Sequence, residues 1–452
     1  MRILFFSKNL LAGDLALRLK AEGHQVKLYI DKKLNQHDLD GLIEKTKNWR
    51  KELLWVGKDG LIIFDDYGYG ALQDELRKKG FAVVGGSEAA DTLELNRSYG
   101  QAIFKKYGLK TVPLKDFKNP KSALAFARQW PGTWVIKQNN NVNKDLTYIG
   151  QNADGSDFLE VLTSYAQHPE FSKRVVSLHK RIEGIEVGVG RFFNGTDWVG
   201  PIELNVEHTR LFPGNVGPTT NELGTLAWYT NDENHRLYKE TLAKLKPFLQ
   251  KIHFKGDMAL NCIVNENGAY ILEATPRLGS PIIHLQTALQ ISPWGEFLNA
   301  LARGTAYDLK WRKGYGIVVF IAVPPFPFSP NTIKNHSQGL HFSLANLTPE
   351  EKSHVHFEGL ALDKSNNERY IITDTYGYLL YVTGIGATIK EAQHKAYSIA
   401  EKLVIPNMFY RNDIGVKFDA IDYKKLIEWG YLNAEKKVLP ILVKKKNRAL
   451  AV

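Results

Sequence analysis

The sequence has one cysteine and no long apolar run. Cys262 by itself excludes an intramolecular disulfide framework and a zinc cluster built from cysteines. The apolar part of the opening segment MRILFFSKNLLAGDLALRLK is too short and too interrupted for a membrane span, and no small-residue cleavage site follows. The chain contains no repeat of fixed period and no low-complexity block. We therefore predict a globular cytoplasmic protein that does not bind a membrane.

The length and composition are those of a multidomain globular protein. The chain has 452 residues, 44% hydrophobic and 24% charged, so at about 150 residues per domain we expect about three domains. Its 59 basic residues exceed its 48 acidic residues, which gives a net charge of +11. This charge indicates either a phosphate-bearing partner or a solvated basic surface. A nucleic-acid partner is not expected, because the sequence has no recognised nucleic-acid module.

The N-terminal region alternates between strands and helices. Apolar residues from Ile3 to Phe6 are followed by a turn, a helical pattern from Asp14 to Glu22 and a second apolar run from Val26 to Ile30. The same order of strand, helix and strand recurs between Gly60 and Val84. This pattern predicts an α/β fold in which residues 1–90 form a doubly wound, Rossmann-like domain.

A small lid is predicted to follow this domain. A helical pattern runs from Asp91 to Tyr107. An apolar strand, Trp134 to Lys137, then leads through a polar loop to a returning strand, Leu146 to Ile149. Strand, polar loop and strand form a hairpin, and we assign the lid-like subdomain to residues of about 111–182.

Antiparallel strands and a third domain account for the rest of the chain. Alternating segments meet at Asn194-Gly195 and at Asn267-Gly268, dipeptides that favour tight hairpin turns. We assign residues 91–310 to one sheet-rich domain. Residues 311–452, which include a helical pattern from Ile389 to Leu403, are predicted to form a C-terminal α+β domain.

The segment AYILEATPRLGSP carries the clearest chemical pattern. Glu273 ends a buried strand, and Arg277 follows four residues later. A carboxylate suits Mg²⁺, which prefers oxygen ligands, and a guanidinium group offers a planar fork to a γ-phosphate. Asn261, on the strand across the Asn267-Gly268 turn, is placed to face the same site. An ordinary salt bridge at a strand end is the alternative explanation.

Candidate ATP ligands lie in two further segments. Lys137 ends an apolar strand, where its ammonium group can meet the α- or β-phosphate, and Lys144 in the next loop can close over the γ-phosphate. Glu186 is placed to accept the ribose hydroxyls. The adenine edge would be read by the backbone of three consecutive residues, Lys180, Arg181 and Ile182. Each of these positions is also consistent with a solvated surface residue.

A glycine-rich loop is the candidate site for a small carboxylate substrate. In the loop LFPGNVGPTTNELGTLAW, glycines let the backbone approach a ligand closely and two threonines supply hydroxyl groups. Its candidate ligands are Gly217, Pro218, Thr219 and Thr220. A plain connecting loop is the alternative.

These segments, in this order, resemble the glycinamide ribonucleotide synthetase family, also called phosphoribosylamine-glycine ligases, within the ATP-grasp superfamily. WVIK is similar to the family's phosphate-lysine strand, IEGIEVGV to its ribose-binding segment and PGNVGPTTNELG to its substrate loop. ILEATPRLGSP resembles its metal strand, and YVTGIGATIKEAQHKAYSIAEKL with YRNDIG resembles its C-terminal domain. The resemblance covers nearly the whole chain.

The resemblance implies an ATP-grasp fold and an ADP-forming ligase. Such an enzyme uses ATP and Mg²⁺ or Mn²⁺ to activate a glycine-like carboxylate as an acyl phosphate, which it couples to a phosphorylated or nucleotide-like amine. Phosphoribosylamine, in purine biosynthesis, is the leading amine. Arg277 and Lys137 are implied to be catalytic through charge neutralisation. We expect a monomer or a homodimer.

Four departures from the family pattern fall on residues with chemical roles. After Arg277-Leu278-Gly279 the family has an acidic residue, proline and glutamate, whereas this chain has Ser280-Pro281-Ile282 and lacks those carboxyl groups. Thr275 stands where the family has an asparagine as its second metal ligand. The first loop, Ser7 to Asp14, lacks the family's double-glycine turn, although Lys8 and Asn9 can meet an anion at a helix start. The phosphate loop, Gln138 to Asp145, has no glycine. These departures keep open a related ligase that uses another amine, and a catalytically reduced regulatory or scaffold protein of the same fold.

Overall fold

The computed structural model describes residues 1–138, 147–329, 335–363, 365 and 369–433. Its strands, in chain order, are β1 (Arg2–Ser7), β2 (Gln25–Ile30), β3 (Glu44–Lys45), β4 (Leu61–Phe64), β5 (Val83–Val84), β6 (Lys110–Thr111), β7 (Leu114–Phe117), β8 (Trp134–Gln138), β9 (Tyr148–Ile149), β10 (Val176–Lys180), β11 (Ile185–Asn194), β12 (Trp198–Glu207), β13 (Arg210–Phe212), β14 (Val216–Thr219), β15 (Gly224–Thr230), β16 (Lys255–Asn265), β17 (Gly268–Thr275), β18 (Tyr315–Ala322), β19 (His341–Ser343), β20 (Val355–Phe357), β21 (Leu360–Leu362), β22 (Arg369–Ile372) and β23 (Tyr378–Gly386).

The α-helices, in chain order, are α1 (Gly13–Ala21), α2 (Trp49–Val56), α3 (Gly70–Lys78), α4 (Glu88–Leu95), α5 (Arg97–Lys106), α6 (Pro120–Gln129), α7 (Ser156–Gln167), α8 (Arg236–Glu240), α9 (Leu242–Lys251), α10 (Ile282–Leu289), α11 (Trp294–Arg303), α12 (Pro349–Lys352), α13 (Ile389–Ala400) and α14 (Tyr423–Glu428). Within the described ranges, none of these helices is long and apolar enough to cross a membrane.

The N-terminal strands form a five-stranded parallel sheet in the order β3-β2-β1-β4-β5. Successive residues of β1 point to opposite faces, and both faces are covered. Phe5 packs in the cluster that contains Leu15 of α1, whereas Phe6 packs with Trp49 of α2 and Leu76 of α3. Because helices cover both sides of a parallel sheet, β1 and β4 are apolar and buried. The predicted doubly wound fold is confirmed.

A nine-stranded sheet forms the centre of the molecule, in the order β20-β23-β18-β15-β12-β11-β16-β17-β6. Its neighbouring strands are antiparallel except for β17 and β6, which run parallel. The turns predicted at Asn194-Gly195 and Asn267-Gly268 connect paired strands, and both glycines have positive φ angles, of 98° and 138°. Strands β18, β20 and β23, which follow the predicted domain boundary at residue 310, belong to the same sheet as the strands before it. The predicted boundary therefore does not coincide with an edge of the sheet.

A smaller antiparallel sheet, in the order β7-β10-β8-β9, packs against α6 and α7. The predicted hairpin is present, because Val135 and Ile136 of β8 pair with Ile149 and Tyr148 of β9. The loop that carries the candidate ligand Lys144 lies outside the described residues. This small sheet brings Lys137, near the end of β8, toward the nine-stranded sheet.

The prediction of one continuous helix from Asp91 to Tyr107 is wrong. The structure has α4 and α5 instead, separated at Asn96, whose φ and ψ angles of −119° and 94° are not helical. The Asn96 side chain accepts a hydrogen bond of 3.0 Å from the backbone N–H of Tyr99. An asparagine that caps the next helix in this way ends the previous one, and the apolar periodicity alone did not reveal the break.

Helix α11 joins the N-terminal sheet to the central sheet. The Glu22 carboxylate accepts hydrogen bonds from the backbone N–H groups of Trp294, at 3.0 Å, and Gly295, at 2.9 Å. An anion at this position also interacts favourably with the helix dipole. On the buried side of α11, the Phe297 ring meets the Phe192 ring edge to face, with 4.9 Å between centroids. The interface therefore combines a capped helix end with aromatic packing.

We expect Phe297→Ala to destabilise the folded chain by about 3–5 kcal/mol, because it removes a fully buried ring and leaves a cavity between the two sheets. The measurement is the free energy of unfolding in urea. Leu54→Ala is the matched control, since Leu54 is 91% exposed and its truncation should change stability by less than about 0.5 kcal/mol. Equal effects of the two substitutions would contradict this account of the interface.

Candidate active site

The three predicted metal ligands lie on one face of a hairpin. Asn261 of β16 is paired with Glu273 of β17, and Thr275 is paired with Ala259. Paired residues of antiparallel strands project to the same face, as do residues two apart in one strand. Asn261, Glu273 and Thr275 therefore share one face of the central sheet, and the Glu273 side chain is 54% exposed there.

Two residues that the sequence did not indicate extend this group. Glu207, the last residue of β12, accepts a hydrogen bond of 3.1 Å from Nδ2 of Asn261. Arg97, the first residue of α5, places Nη2 at 3.9 Å from a carboxylate oxygen of Glu273. Its Nη1 atom is buried and has no hydrogen-bond partner among the described residues. Glu207 could have been found from the sequence, because it is a polar residue at the end of an apolar strand. Arg97 could not, because its position follows from the break between α4 and α5, which the sequence did not reveal.

Glu186 lies on the same face of the sheet. It precedes Gly188 by two residues on β11, and Gly188 is paired with Asn261. The Glu186 side chain reaches solvent, yet its pKa is raised, first by the desolvation that surrounding protein imposes and then by the negative charge of Glu273. The positive charge of Lys137 acts in the opposite direction on the same pKa. Glu186 is therefore an accessible carboxylate close to both Glu273 and Lys137.

Lys137 of the small sheet and Arg97 of α5 supply positive charge near these carboxylates. His179 of β10 is buried, and its pKa is lowered to about 3, first by desolvation and then by the positive charges of Lys137 and Arg97. The imidazole is therefore neutral at neutral pH. Carboxylates and cations placed together in this way can bind a metal-bound polyphosphate between the two sheets.

Arg277 is engaged by acidic side chains. Its guanidinium group donates to Glu94 of α4 through Nη2, at 2.9 Å, and through Nε, at 3.2 Å, and its Nε lies 3.9 Å from Asp66. Burial would lower the pKa of Arg277, but Glu94 and Asp66 raise it, so the group stays charged. A γ-phosphate would have to compete with Glu94 for the guanidinium fork. The predicted phosphate contact of Arg277 remains a prediction, and Glu94 was not anticipated.

The candidate amine ligands face an acidic loop after β4. Asn9 donates a hydrogen bond of 3.1 Å to Asp66. The Lys8 ammonium lies 4.3 Å from the centre of the Tyr67 ring. Burial raises the pKa of Asp66, and the positive charge of Lys8 is among the effects that oppose this rise. Lys8 and Asn9 are thus next to each other in space and next to a carboxylate. An anion bound here would meet Asp66 as well.

Asp65, beside them, is the most deeply buried carboxylate of this loop. One of its oxygens accepts hydrogen bonds from the Ser7 hydroxyl, at 2.8 Å, and from the backbone N–H of Ala12, at 3.1 Å. Desolvation raises the pKa of Asp65 to about 7, and the charge of Asp66 contributes in the same direction. The loop from β1 into α1 is therefore held by a carboxyl group that ionises only near neutral pH.

The predicted adenine-reading segment connects the two sheets. The backbone N–H of Lys180 donates to the Pro113 carbonyl at 2.8 Å, and that of Arg181 donates to the Thr133 carbonyl at 3.1 Å. Both N–H groups are therefore used within the protein, and Ile182 is half-buried. Recognition of the adenine edge by Lys180, Arg181 and Ile182 remains a prediction.

The predicted substrate loop forms the short β13–β14 hairpin. Gly217, Pro218 and Thr219 are exposed on β14, and the Gly217 carbonyl accepts a hydrogen bond of 2.9 Å from Arg210. Thr220 is only 6% exposed, and its hydroxyl donates to the Thr209 carbonyl at 2.9 Å. Thr220 therefore holds the hairpin, whereas the three residues before it are the accessible ones.

Comparison with family models places the chain among known sequences. The model described as phosphoribosylglycinamide synthetase, ATP-grasp (A) domain, matches residues 95–282, and the C domain of the same synthetase matches residues 318–417. Together the two matches cover more than half of the chain.

Individual relatives agree with these matches. The phosphoribosylamine–glycine ligase of Clostridium acetobutylicum is 24% identical over 393 residues, which are 84% of this chain and 88% of the relative. The ligase of the same name from Helicobacter pylori is 26% identical over 370 residues, 78% of this chain and 80% of the relative.

Two solved structures show the same fold. The phosphoribosylamine–glycine ligase of Thermotoga maritima superposes with a TM-score of 0.67 at 19% identity, covering 92% of this chain and 100% of the other. A biotin carboxylase from Campylobacter jejuni superposes with a TM-score of 0.62 at 13% identity, covering 94% of this chain and 98% of the other. The ATP-grasp fold is therefore confirmed.

The buried Asp65 makes stability depend on pH. Its folded pKa of about 7 exceeds the unfolded value near 3.8, so between these values the folded chain holds a proton that the unfolded chain has lost. We therefore expect the free energy of unfolding to fall as pH rises from about 3.8 to about 7, with a contribution from Asp65 of up to about 1.4 kcal/mol per pH unit. Asp65→Asn should remove this part of the slope in urea unfolding between pH 4 and pH 7. The exposed Asp59→Asn is the control, and an unchanged slope in Asp65→Asn would refute the expectation.

Proposed function

The chain belongs to the phosphoribosylglycinamide synthetase family, and from this we propose that it couples glycine to phosphoribosylamine. It is an ATP-grasp enzyme that joins a carboxylate to an amine and forms ADP. The relatives in Clostridium acetobutylicum and Helicobacter pylori are named for the coupling of these two substrates, and their similarity spans most of both chains. The comparisons give no support to the alternative of a regulatory or scaffold protein.

The observation that carries this proposal is the charged cleft between the two sheets. Glu186 and Glu273 lie on the central sheet, and Lys137 from the small sheet is close enough for its charge to influence the pKa of Glu186. Arg97 adds a second cation beside Glu273. A triphosphate with its metal ion requires this combination of oxygen ligands and positive charge, and a plain surface salt bridge does not.

We assign the metal site to Glu273, Asn261 and Thr275. Their carboxylate, amide and hydroxyl groups offer oxygen atoms on one face, which is the ligand chemistry that Mg²⁺ or Mn²⁺ requires. The hydrogen bond from Asn261 to Glu207 would orient the amide. The ion, when bound, would neutralise charge on the polyphosphate.

The proposed reaction has two displacements. An oxygen of the glycine carboxylate attacks the γ-phosphorus of ATP, ADP leaves, and an acyl phosphate forms. The amine nitrogen then attacks the carbonyl carbon, and inorganic phosphate leaves. Lys137 and Arg97 would neutralise the transferring group, Glu186 would accept the ribose hydroxyls, and Arg277 would assist once it exchanges Glu94 for phosphate. Positioning and charge neutralisation suffice for this chemistry, so no dedicated general base is assigned.

The acceptor sites are assigned by position. Gly217, Pro218, Thr219 and Thr220 are proposed to hold glycine, with direct contacts from the three exposed residues. Lys8 and Asn9 are proposed to hold the amine substrate. Because the loop from Ser7 to Asp14 lacks the family's double-glycine turn, a different phosphorylated or nucleotide-like amine is the second candidate.

These proposed sites assign a role to each of the three predicted domains. Residues 1–90 would contribute the amine site, residues 91–310 the ATP site with its lid at about 111–182, and residues 311–452 the C-terminal cover. We further propose a cytoplasmic location and a monomeric or homodimeric state.

With ATP, Mg²⁺, glycine and phosphoribosylamine together, we expect one ADP and one phosphate per amide formed, measured by coupled assay and mass spectrometry of the product. Omission of either acceptor should abolish sustained ADP release. ADP formation with glycine and only a different amine would reject phosphoribosylamine and keep the ligase reaction. No turnover with any carboxylate and amine, despite ATP binding, would favour the scaffold alternative.

Glu273→Gln should lower turnover by about 10²-fold or more, because the substitution removes a charged metal ligand while keeping the shape of the side chain. Glu266→Gln, an exposed change in the turn of the same hairpin, should leave the rate unaltered. The readout is kcat at saturating ATP with a titration of Mg²⁺. Turnover of Glu273→Gln at more than half of the wild-type rate would show that the metal site is misplaced.

A further inference from the structure

A second cluster of potential metal ligands, which includes none of the residues proposed to bind ATP, lies where three parts of the chain meet. Asp14 is in the first turn of α1, His284 is in α10 and His356 is in β20. One ligand atom from each side chain can be chosen so that all three lie within 4.8 Å of one another. Two imidazoles and one carboxylate form a nitrogen-rich set, unlike the oxygen ligands near Glu273.

His284 is the member of the cluster whose ring nitrogens make no hydrogen bond with the described residues. It is 1% exposed. Its ring stacks on Tyr381, with 4.2 Å between centroids and 23° between planes. Desolvation, followed by the charge of His356, lowers the pKa of His284 to about 3, so a nitrogen lone pair is available at neutral pH. A buried imidazole without a partner is costly unless something binds it.

The other two members are already oriented toward each other. His356 Nδ1 lies 2.7 Å from one oxygen of Asp14, and His356 Nε2 lies 3.0 Å from the Thr383 hydroxyl. The second Asp14 oxygen accepts a hydrogen bond of 3.1 Å from the backbone N–H of Phe357. A histidine whose far nitrogen is fixed by a second partner is the arrangement that metal-binding histidines adopt. Asp14 is 15% exposed, which gives an ion a route from solvent.

We propose that Asp14, His284 and His356 bind one divalent transition-metal ion of the Zn²⁺ type. Zn²⁺ takes imidazole nitrogen and carboxylate oxygen at about 2.0–2.2 Å, commonly from three protein ligands with a water molecule in the fourth position. In a tetrahedral site with these bond lengths, two ligand atoms are about 3.3 Å apart. The ligand atoms of Asp14, His284 and His356 lie within 4.8 Å of one another, so any two would have to approach each other by about 1.5 Å at most to bind one ion. Binding through His356 Nδ1 would leave the contact of Nε2 with Thr383 in place.

Such an ion would act as a tether. It would connect α1 of the N-terminal sheet, α10 beside the central sheet and β20 at the far edge of that sheet. Because the three ligands are distant in sequence, the unfolded chain cannot form the site, and metal binding stabilises the folded arrangement. None of its ligands belongs to the set proposed for Mg²⁺ at Glu273.

The test is calorimetric titration of the full-length, chelator-treated protein with Zn²⁺, repeated with Co²⁺ to follow absorption in the visible range. We expect one equivalent to bind the wild type and to raise its melting temperature. His284→Phe keeps a ring to stack on Tyr381 but has no nitrogen ligand, and it should weaken the affinity at least tenfold. His354→Ala is the matched control, because His354 contacts the same Thr383, at 3.2 Å, but is not in the cluster.

Two outcomes would overturn the proposal: no binding of either ion by the folded wild type, or equal Zn²⁺ affinity in wild type and His284→Phe. Circular dichroism establishes whether each variant is folded. If His284→Phe does not fold, Asp14→Asn provides the second variant, with the same expected loss of affinity. A loss in His354→Ala as large as that in His284→Phe would also count against the assignment.

Discussion

Antiparallel pairing of β11, β16 and β17 determines where the candidate active site can form. The register places Asn261 opposite Glu273 and, through Gly188, brings Glu186 onto the same face. A shift of one residue in either pair would turn these side chains to the other face, among the apolar residues of the core. The buried apolar residues on that other face therefore specify the position of the polar ones. The stability of the sheet and the geometry of the site depend on the same register.

Charge compensation across the cleft is the second constraint. The carboxylates of Glu186 and Glu273 are close enough to affect each other, and cations on the small sheet and on α5 oppose them. A carboxylate that is partly withdrawn from water needs either a proton, a cation or a metal ion. Mg-ATP supplies both a cation and an anion, so it would satisfy both kinds of charge at once. Arg277 illustrates the converse, because Glu94 already satisfies its charge within the protein.

One departure from the family pattern lies where the N-terminal loop, Ser7 to Asp14, meets the rest of the molecule. Lys8 and Asn9 contact an acidic loop, and Asp65 beneath them has a raised pKa. The same region contains Asp14, whose neighbours come from two distant segments of the chain. Departures are therefore found both among the proposed metal ligands, at Thr275, and around the proposed amine site.

The sequence by itself determined most of the elements and the candidate residues of the site. Periodicity indicated the parallel N-terminal sheet, the Asn-Gly turns indicated the hairpins, and a carboxylate at a strand end indicated Glu273 as a metal ligand. These signals are local, because each depends on residues within one strand or turn. Only the tertiary structure decided which distant groups meet: Glu207 with Asn261, Glu94 with Arg277, and Asp14 with two histidines more than two hundred residues away. Such contacts depend on strand order and helix packing, and no pattern along the chain records which element will lie beside which.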